Sequence, residues 1–299
     1  GKTGLRVSVV GVGTWQFGGE WGDDFTPERV TAILDRAADE GINLIDTAEC
    51  YGDHLSERLI GQAIRGRRDE WVLATKFGHK FHGRFQRTDC YTARDAVRQL
   101  EDSLKALGTD HVDLLQFHSG PDTAFDDDDL WEALTEQVRL GRVRHLGISV
   151  GKNDNLHQVG NSTRVGASAV QVVYNRLDRK AEEGVLPSCQ QQDLGVLARV
   201  PLASGYLSGK YRPGDTFTDP NDTRSRHDPE EVQRKLREVE EIRASELPDG
   251  VDMATWALGW CLRHPAVTTV IPGCKSPEQV SKNAGAARLA PADHPQAAG

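Results

Sequence analysis

Three apolar segments of the chain each end in an ionisable side chain. Asp46 ends the segment INLID, Lys76 ends WVLATK, and His118 ends HVDLLQFH. A tyrosine, Tyr51, follows Asp46 after a short loop. In parallel α/β barrels, the functional groups lie at the carboxyl ends of the strands. If the three segments are neighbouring strands, their ends bring an acid, a lysine, a histidine and a phenol to one place.

These four residue types together can donate a proton to an oxygen atom. A free tyrosine has a pKa of about 10 and is a weak acid at neutral pH. An ammonium group beside Tyr51 favours the phenolate and lowers that pKa, while Asp46 would keep Lys76 charged and oriented. His118 could hydrogen-bond a carbonyl oxygen. We therefore expect this set to protonate an oxygen while another group delivers a hydride.

Each residue alone also has an ordinary structural interpretation. Asp46 could cap a helix or pair with a cation, and Lys76 could be a surface lysine. His118 could be a semi-buried histidine with satisfied hydrogen bonds, and Tyr51 could serve packing only. Their joint placement on successive strand ends favours the catalytic interpretation.

Eight apolar segments alternate with amphipathic segments along the 299 residues. Strands that alternate with helices of this length predict βα units and a parallel sheet. Continuously apolar strands indicate that both faces of the sheet are covered. The count favours an α/β fold of the (β/α)8 barrel type, with an open doubly wound sheet as the alternative. The predicted strands are Val7–Gly13, Ile42–Asp46, Trp71–Lys76, Val112–His118, His145–Val150, Ala169–Tyr174, Gly195–Val200 and Thr268–Ile271.

The segments between these strands carry helical patterns. One further helix is predicted to begin after Asp228, where a proline and a capping-box glutamate follow. The long polar segment Tyr211–His227 has no regular pattern, and we predict that it forms a flap over the barrel mouth. No linker divides the chain, so we predict a single domain over 1–299, with a loosely held tail over about 288–299. The main predicted helices are Pro27–Glu40, Leu55–Arg65, Thr92–Leu107 and Asp129–Leu140.

Composition excludes several classes of partner. The net charge of −9 is spread along the chain and offers no basic patch for nucleic acid or an anionic membrane. No apolar segment approaches the roughly 20 residues of a membrane span. The five cysteines are scattered, which is typical of free thiols in a reducing compartment, and we predict a cytoplasmic protein. The acidic run 126–129 suits a helix N-terminus, so no metal site is predicted.

Two short motifs suggest other functions, and neither has the context it requires. GISVG (147–151) fits the nucleophile elbow of serine hydrolases, but the polar KNDN that follows is not a helix packed behind the serine. GVGTW (11–15) begins like a dinucleotide-binding loop, but no third glycine falls in register.

Longer stretches of the sequence resemble a known family, the aldo-keto reductases. The similar segments follow one another in order along nearly the whole chain and look closest to a bacterial NADPH-dependent branch. They are GVGTW (11–15), IDTAECYG (45–52), LATKFG (73–78), DLLQFH (113–118) and IPGCKSPEQVSKN (271–283).

The resemblance implies a (β/α)8 barrel with an N-terminal β-hairpin that uses NADPH to reduce an aldehyde, a ketone or a keto-sugar. The family's catalytic four fall on Asp46, Tyr51, Lys76 and His118, with Tyr51 as general acid. A nicotinamide-bound regulatory protein with little turnover is the alternative, because barrels of this family also serve that role. A phosphate-binding barrel lyase or isomerase is a third class, for which the chain carries no distinct motif.

The resemblance also implies contacts to the nicotinamide ring. The family's carboxamide-binding serine and glutamine fall on Ser149 and Gln171, while Val150 replaces an asparagine that often follows the serine. Arg199 stands where the family commonly stacks an aromatic residue on the ring. A guanidinium plane can also stack on a ring, but it adds charge.

The rest of the implied cofactor site lies later in the chain. Gly273 and Gln279 replace a lysine and an arginine that relatives often carry, but Lys275 and Ser276 at a helix start can still hold a 2′-phosphate. NADP is therefore the expected cofactor. The substrate pocket is expected to use Trp15, Trp21, Phe77 and His118. The implied cofactor residues are Thr14, Trp15, Asp46, Ser149, Gln171, Arg199, Pro201, Leu202, Ser204, Gly205, Leu207, Lys210, Gly273, Lys275, Ser276, Gln279 and Asn283.

Overall fold

Strands and helices alternate through most of the chain. The structure is a computed structural model, and it describes residues 1–294 and residue 296. Its strands are β1 (Val12–Gly13), β2 (Leu44–Asp46), β3 (Val72–Phe77), β4 (His79–Gly83), β5 (Gln86–Asp89), β6 (Val112–His118), β7 (Val143–Ser149), β8 (Ala167–Val173), β9 (Gly195–Arg199) and β10 (Thr269–Val270). Its α-helices are α1 (Pro27–Asp39), α2 (Leu55–Ala63), α3 (Ala93–Leu107), α4 (Asp122–Phe125), α5 (Asp128–Arg139), α6 (Leu156–Gly160), α7 (Val185–Gln191), α8 (Pro229–Ser245), α9 (Met253–Leu262) and α10 (Pro277–Ala284).

Eight of the strands form one parallel sheet that closes on itself. Their order is β1, β2, β3, β6, β7, β8, β9 and β10. The last strand returns to the first through parallel bridges from Val10 to Val270 and from Gly13 to Gly273. The Gly11 N–H also donates to the Val270 carbonyl at 2.8 Å. The predicted (β/α)8 barrel is thereby confirmed.

The inside of the barrel changes from apolar to polar toward the carboxyl ends of its strands. Side chains two residues apart on a strand point to the same side. One buried interior cluster is apolar and consists of Leu44, Ala74, Leu114, Ala169, Leu197 and Ile271. Two residues further along the same segments stand Asp46, Lys76, Gln116, Gln171, Arg199 and Gly273. The strand period therefore places a polar layer directly above the apolar one.

The larger core lies between the barrel and its helices. The intervening strand residues, such as Ile45, Leu73 and Leu115, point outwards and are almost fully buried. Helix α1 contributes four buried residues (30, 33, 34 and 37) at the spacing of an amphipathic helix. Helix α8 begins as predicted, because the Asp228 side chain accepts a hydrogen bond from the Glu231 N–H.

The antiparallel hairpin among the described residues follows the third strand of the barrel and does not lie at the N-terminus. Strands β4 and β5 pair as this hairpin directly after β3, in a region where the sequence predicts neither a strand nor a helix. Residues 1–9 belong to no strand; the Lys2 N–H donates to the Asp193 carbonyl, and Ser8 exchanges hydrogen bonds with Asn43.

Two residues near the end of the chain contact the rest of the protein. His294 is buried and its Nε2 contacts the Val267 carbonyl at 2.9 Å. Gln296 accepts a hydrogen bond from the Val7 N–H. The loosely held tail over about 288–299 stays a prediction, and residues 295 and 297–299 lie outside the described residues.

No helix among the described residues is long and apolar enough to cross a bilayer.

Candidate active site

Lys76 lies at the carboxyl end of β3 with its ammonium group inside the protein. The residue is only 1% exposed. Its Nζ donates to Asp46 Oδ2 at 2.7 Å, to the Thr47 carbonyl at 2.6 Å and to the Tyr51 hydroxyl at 3.4 Å. Burial lowers the pKa of Lys76, but Asp46 and Tyr51 outweigh burial and hold that pKa above its ordinary value. Lys76 is therefore a buried ammonium ion aimed at the phenol.

Asp46 is held from two sides. While Oδ2 accepts from Lys76, Oδ1 accepts hydrogen bonds from Gln116 Nε2 at 3.0 Å and from Gln171 Nε2 at 2.7 Å. Gln171 also donates to Gln116 Oε1 at 3.0 Å. A buried carboxylate is costly unless it is paired and hydrogen-bonded. Here both oxygens are satisfied, so Asp46 is a fixed counter-charge for Lys76.

Tyr51 stands in the loop after β2, in the position expected from the sequence. Its backbone lies so close to Gly18 that a Cβ on that glycine would come within 2.6 Å of the Tyr51 carbonyl carbon. Burial raises the pKa of Tyr51 to about 12, and the lowering effect of Lys76 only partly offsets it. The predicted net lowering of the tyrosine's pKa is wrong, because the phenol is more buried than the sequence indicated.

His118 ends β6 beside the phenol. Its ring lies edge-on to the Tyr51 ring with centroids 6.2 Å apart. Burial, reinforced by the Lys76 charge, holds the pKa of His118 well below its usual range. The imidazole is therefore neutral at neutral pH and can act as a hydrogen-bond donor from one nitrogen only.

We call Asp46, Tyr51, Lys76 and His118 the strand-end group. The structure brings all four together at the carboxyl ends of β2, β3 and β6, as expected from the sequence.

A cleft of about 550 Å³ opens next to this group. Asp46 and Tyr51 form part of its wall, and the remainder comes from the ends of β8 and β9, from the segments that follow β1, β9 and β10, and from the first turn of α9 and one side of α10. Fifteen of the seventeen implied cofactor residues line it: Thr14, Trp15, Asp46, Gln171, Arg199, Pro201, Leu202, Ser204, Gly205, Lys210, Gly273, Lys275, Ser276, Gln279 and Asn283.

Two implied cofactor residues do not line the cleft. Leu207 is fully buried in the cluster beneath α8 and α9. Ser149 is also buried, but its Oγ has no hydrogen-bond partner among the described residues. An unpaired buried hydroxyl costs free energy, so a ligand that hydrogen-bonds Ser149 Oγ would recover that cost.

Arg199 projects from the end of β9 into the cleft. Its Nη2 donates to the Val150 carbonyl at 3.0 Å, whereas its Nε is buried and has no partner among the described residues. Burial holds the pKa of Arg199 below its ordinary value, and the nearby Tyr51 and Asp46 offset this effect only in part.

Lys275 is already engaged within the protein. Its Nζ donates to the Trp21 carbonyl and lies 3.0 Å from Asp23 Oδ2. The following residue, Ser276, caps α10 and accepts a hydrogen bond from the Gln279 N–H. Lys275 therefore ties the loop after β1 to the turn before α10.

The aromatic residues expected around the substrate divide into two groups. Trp15 and Trp21 line the cleft, and Trp15 stacks near Tyr51 with ring centroids 6.3 Å apart. Phe77 is fully buried against Tyr91 and Phe117 in the outer core. The prediction that Phe77 contacts substrate is wrong, because strand alternation points it away from the barrel interior that Lys76 occupies.

Two residues that shape the candidate site, Gln116 and Glu20, were not identified from the sequence. Gln116 orients Asp46, and strand alternation from Leu114 could have revealed it. Glu20 is fully buried and accepts hydrogen bonds from Trp15 Nε1, the Phe85 N–H and Arg87. The bonds from Phe85 and Arg87 join segments 65 and 67 residues apart, so no local pattern indicates them.

The predicted flap segment, Tyr211–His227, runs along the cleft. Tyr211 and Arg224 of this segment line the cleft. Arg224 donates to both carboxylate oxygens of Asp222 and, at 2.8 Å, to the Tyr211 hydroxyl. The Thr223 N–H donates to the Glu20 carbonyl, which joins the segment to the loop after β1.

Comparison with known proteins agrees with this geometry. Residues 9–298 match the Aldo/keto reductase family. The chain belongs to this family. It is 32% identical over 288 residues to the aldo-keto reductase YhdN of Bacillus subtilis (strain 168), covering 93% of this chain and 84% of the relative. It is 31% identical over 299 residues to a putative voltage-gated potassium channel subunit beta of Schizosaccharomyces pombe, covering 95% and 85%.

Solved aldo-keto reductases share the fold. The holo form of AKR11C1 from Bacillus halodurans superposes with a TM-score of 0.81 at 30% identity, covering 99% of this chain and 92% of that one. An aldo-keto reductase of Klebsiella pneumoniae in complex with NADPH gives a TM-score of 0.71 at 27% identity, covering 96% and 88%. The predicted family is thus confirmed, and this aldo-keto reductase belongs to a family of oxidoreductases.

Proposed function

We propose that this aldo-keto reductase uses NADPH to reduce the carbonyl group of an aldehyde, a ketone or a keto-sugar. The observation that carries the proposal is the buried chain from Asp46 through Lys76 to the Tyr51 hydroxyl, at the wall of a cleft large enough for a nucleotide. NADPH, when bound, supplies the hydride. The protein supplies the proton and the orientation.

Tyr51 is the proposed general acid. Its raised pKa keeps the phenol protonated at neutral pH, so the proton is present when a carbonyl oxygen arrives. Negative charge that develops on that oxygen would be stabilised by proton transfer from the hydroxyl. Lys76 lies 3.4 Å from this hydroxyl and favours the phenolate that results. Asp46 keeps Lys76 charged and in place.

His118 is proposed to orient the substrate. A neutral imidazole next to Tyr51 can donate one hydrogen bond to the carbonyl oxygen without taking the proton that the reaction requires. Trp15 and Trp21 would form the apolar wall against which the rest of a small substrate packs.

Two polar side chains with unpartnered atoms fit a nicotinamide ring: Arg199 lines the cleft, and Ser149 is the strand partner of Gln171, which lines it. Ser149 Oγ could hydrogen-bond the carboxamide, and Arg199 could lie against the ring face. Ser276 and Lys275 stand at the N-terminus of α10, where the Lys275 charge and the positive end of the helix dipole favour a 2′-phosphate. These residues support NADP rather than NAD as cofactor.

The proposal is tested by the oxidation of NADPH, followed by absorbance, with a panel of aldehydes, ketones and keto-sugars. We expect turnover with at least one class and none without a carbonyl compound. Tight NADPH binding with no turnover across the panel would overturn the reductase and favour a regulatory role. That role has support in the relatives named potassium channel beta subunits, one of which is 32% identical over 310 residues.

A further inference from the structure

Three side chains that commonly bind metal ions converge beside Tyr51. His118 Nδ1 lies 3.7 Å from Cys50 Sγ and 3.9 Å from Glu49 Oε2. The three ligand atoms all lie within 4.8 Å of one another. Glu49 and Cys50 are 3% and 2% exposed. Within residues 1–294 and 296, this is the one cluster of its kind.

Glu49 points one oxygen into this cluster without a partner. Its Oε1 accepts a hydrogen bond from the His79 N–H at 3.0 Å, which fixes the carboxylate plane. Its Oε2 is buried and has no hydrogen-bond partner among the described residues. An unpaired buried carboxyl oxygen costs free energy, so Glu49 Oε2 is available to a ligand that binds in this cluster.

We propose that Glu49, Cys50 and His118 bind a zinc ion. Zinc accepts sulfur, imidazole nitrogen and carboxylate oxygen as ligands at about 2.0–2.3 Å, which puts tetrahedral ligand atoms about 3.3–3.8 Å apart. The three ligand atoms reach that spacing if each distance between them shortens by at most about 1 Å from its present value of up to 4.8 Å. The soft thiolate favours zinc over magnesium or calcium.

The proposed ligands neutralise the charge of the zinc ion and leave one of its four coordination positions open. Binding displaces the thiol proton of Cys50 to solvent, and the thiolate and the Glu49 carboxylate then neutralise the two positive charges. Three protein ligands leave a fourth position for water.

One consequence rests on the proposed function. Zinc on Nδ1 would fix the His118 ring beside Tyr51, so that the imidazole could no longer turn to orient a carbonyl oxygen. We therefore expect bound zinc to slow carbonyl reduction.

Binding is measured without reference to turnover. The full chain, stripped of metal with a chelator, is titrated with Co²⁺ and followed by absorbance, and with Zn²⁺ by calorimetry. We expect one ion per chain and a thiolate-to-cobalt charge-transfer band in the near ultraviolet. Cys50→Ser should abolish the band, and Glu49→Gln, which keeps the shape of the side chain, should weaken binding at least about tenfold.

Cys90→Ser is the matched control, because Cys90 is a partly exposed free thiol outside the cluster. It should bind both ions as the native protein does. The proposal is overturned if the native protein shows no thiolate band, or if Zn²⁺ affinity is the same in native, Cys50→Ser and Glu49→Gln proteins. Circular dichroism confirms that each variant is folded. A protein that binds zinc through Cys50 but reduces no carbonyl would contradict the proposed function alone.

Discussion

The strand-end group and the turn between β10 and α10 bound the same cleft but are built in different ways. At the strand ends, Lys76 and Asp46 are buried and hydrogen-bonded to each other on the rigid barrel. At the turn, the Lys275 side chain is 30% exposed and bonds to the loop that carries Trp21 and Asp23. The ion pair that orients Tyr51 is therefore placed on rigid strands, whereas Lys275, the proposed phosphate contact, lies on a turn and can exchange partners.

The largest effect that separates these regions should come from Lys76→Met. Methionine removes the ammonium and leaves Asp46 buried without its ion partner, which costs about 3–5 kcal/mol of unfolding free energy. Turnover should also fall about 10²–10⁴-fold, the range of general acid–base catalysis. Denaturant unfolding and steady-state reduction measure the two losses.

Asp46→Asn is the matched comparison for that variant. It keeps the shape of the side chain but leaves the buried Lys76 ammonium without its counter-charge and replaces an accepting oxygen by an NH2 group, so the loss of unfolding free energy should be comparable. Turnover should fall less, because the Lys76 amine remains beside Tyr51. If folded Lys76→Met protein reduces carbonyls at the native rate, Lys76 does not assist Tyr51.

Arg199→Met should have the next largest effect and should act on the cofactor. A cation against an aromatic ring contributes about 0.5–2 kcal/mol, so NADPH affinity should fall about 2- to 30-fold. Because the nicotinamide ring of NADP⁺ carries a positive charge, its affinity should fall less. Fluorescence titration with NADPH and NADP⁺ measures both affinities. Arg199→Lys is the control, because lysine keeps the positive charge but lacks the planar guanidinium group. Equal losses for both cofactors would argue against ring contact.

Lys275→Ala should have a smaller effect, confined to the choice of cofactor. The lysine must leave Trp21 and Asp23 to meet a phosphate, and exposed ion pairs contribute at most about 1 kcal/mol, or about fivefold. NADPH affinity should fall by this factor while NADH affinity stays the same. An unchanged NADPH-to-NADH ratio would remove Lys275 from the 2′-phosphate site.

The smallest predicted effect concerns Asp222 in the flap segment. Burial raises the pKa of Asp222, but hydrogen bonds from Arg224 outweigh burial and hold that pKa below its usual value. Its stabilisation is therefore present above about pH 4, the ordinary aspartate pKa, and is lost as pH falls through the lower folded value. Asp222→Asn should be about 1–2 kcal/mol less stable at neutral pH. Thermal unfolding from pH 7 to pH 3 should show this difference shrinking only below about pH 4; a difference that is constant with pH would contradict the ion pair.

Strand periodicity explains why so much of the site could be predicted from the sequence. Asp46, Lys76 and His118 each end an apolar segment, and a parallel barrel brings such ends together. The same alternation, applied strictly, also indicates Gln116 and excludes Phe77.

The remaining features depend on contacts that no local pattern carries. The pKa of Tyr51 depends on how deeply the loops bury its hydroxyl group. The ion pair between Lys275 and Asp23 joins residues that are far apart in the sequence. Strands β4 and β5 have exposed, polar faces, so they lack the apolar alternation that marks a strand.

The most direct test of the account is single-turnover reduction by Tyr51→Phe protein. NADPH-loaded native and variant proteins are mixed with saturating amounts of a good carbonyl substrate, and the loss of NADPH absorbance is followed in time. Because only the hydroxyl is removed, NADPH affinity should stay nearly unchanged while the rate of reduction falls about 10²–10⁴-fold. A rate near that of the native protein would contradict the account, because the strand-end group would then not be the site of proton transfer.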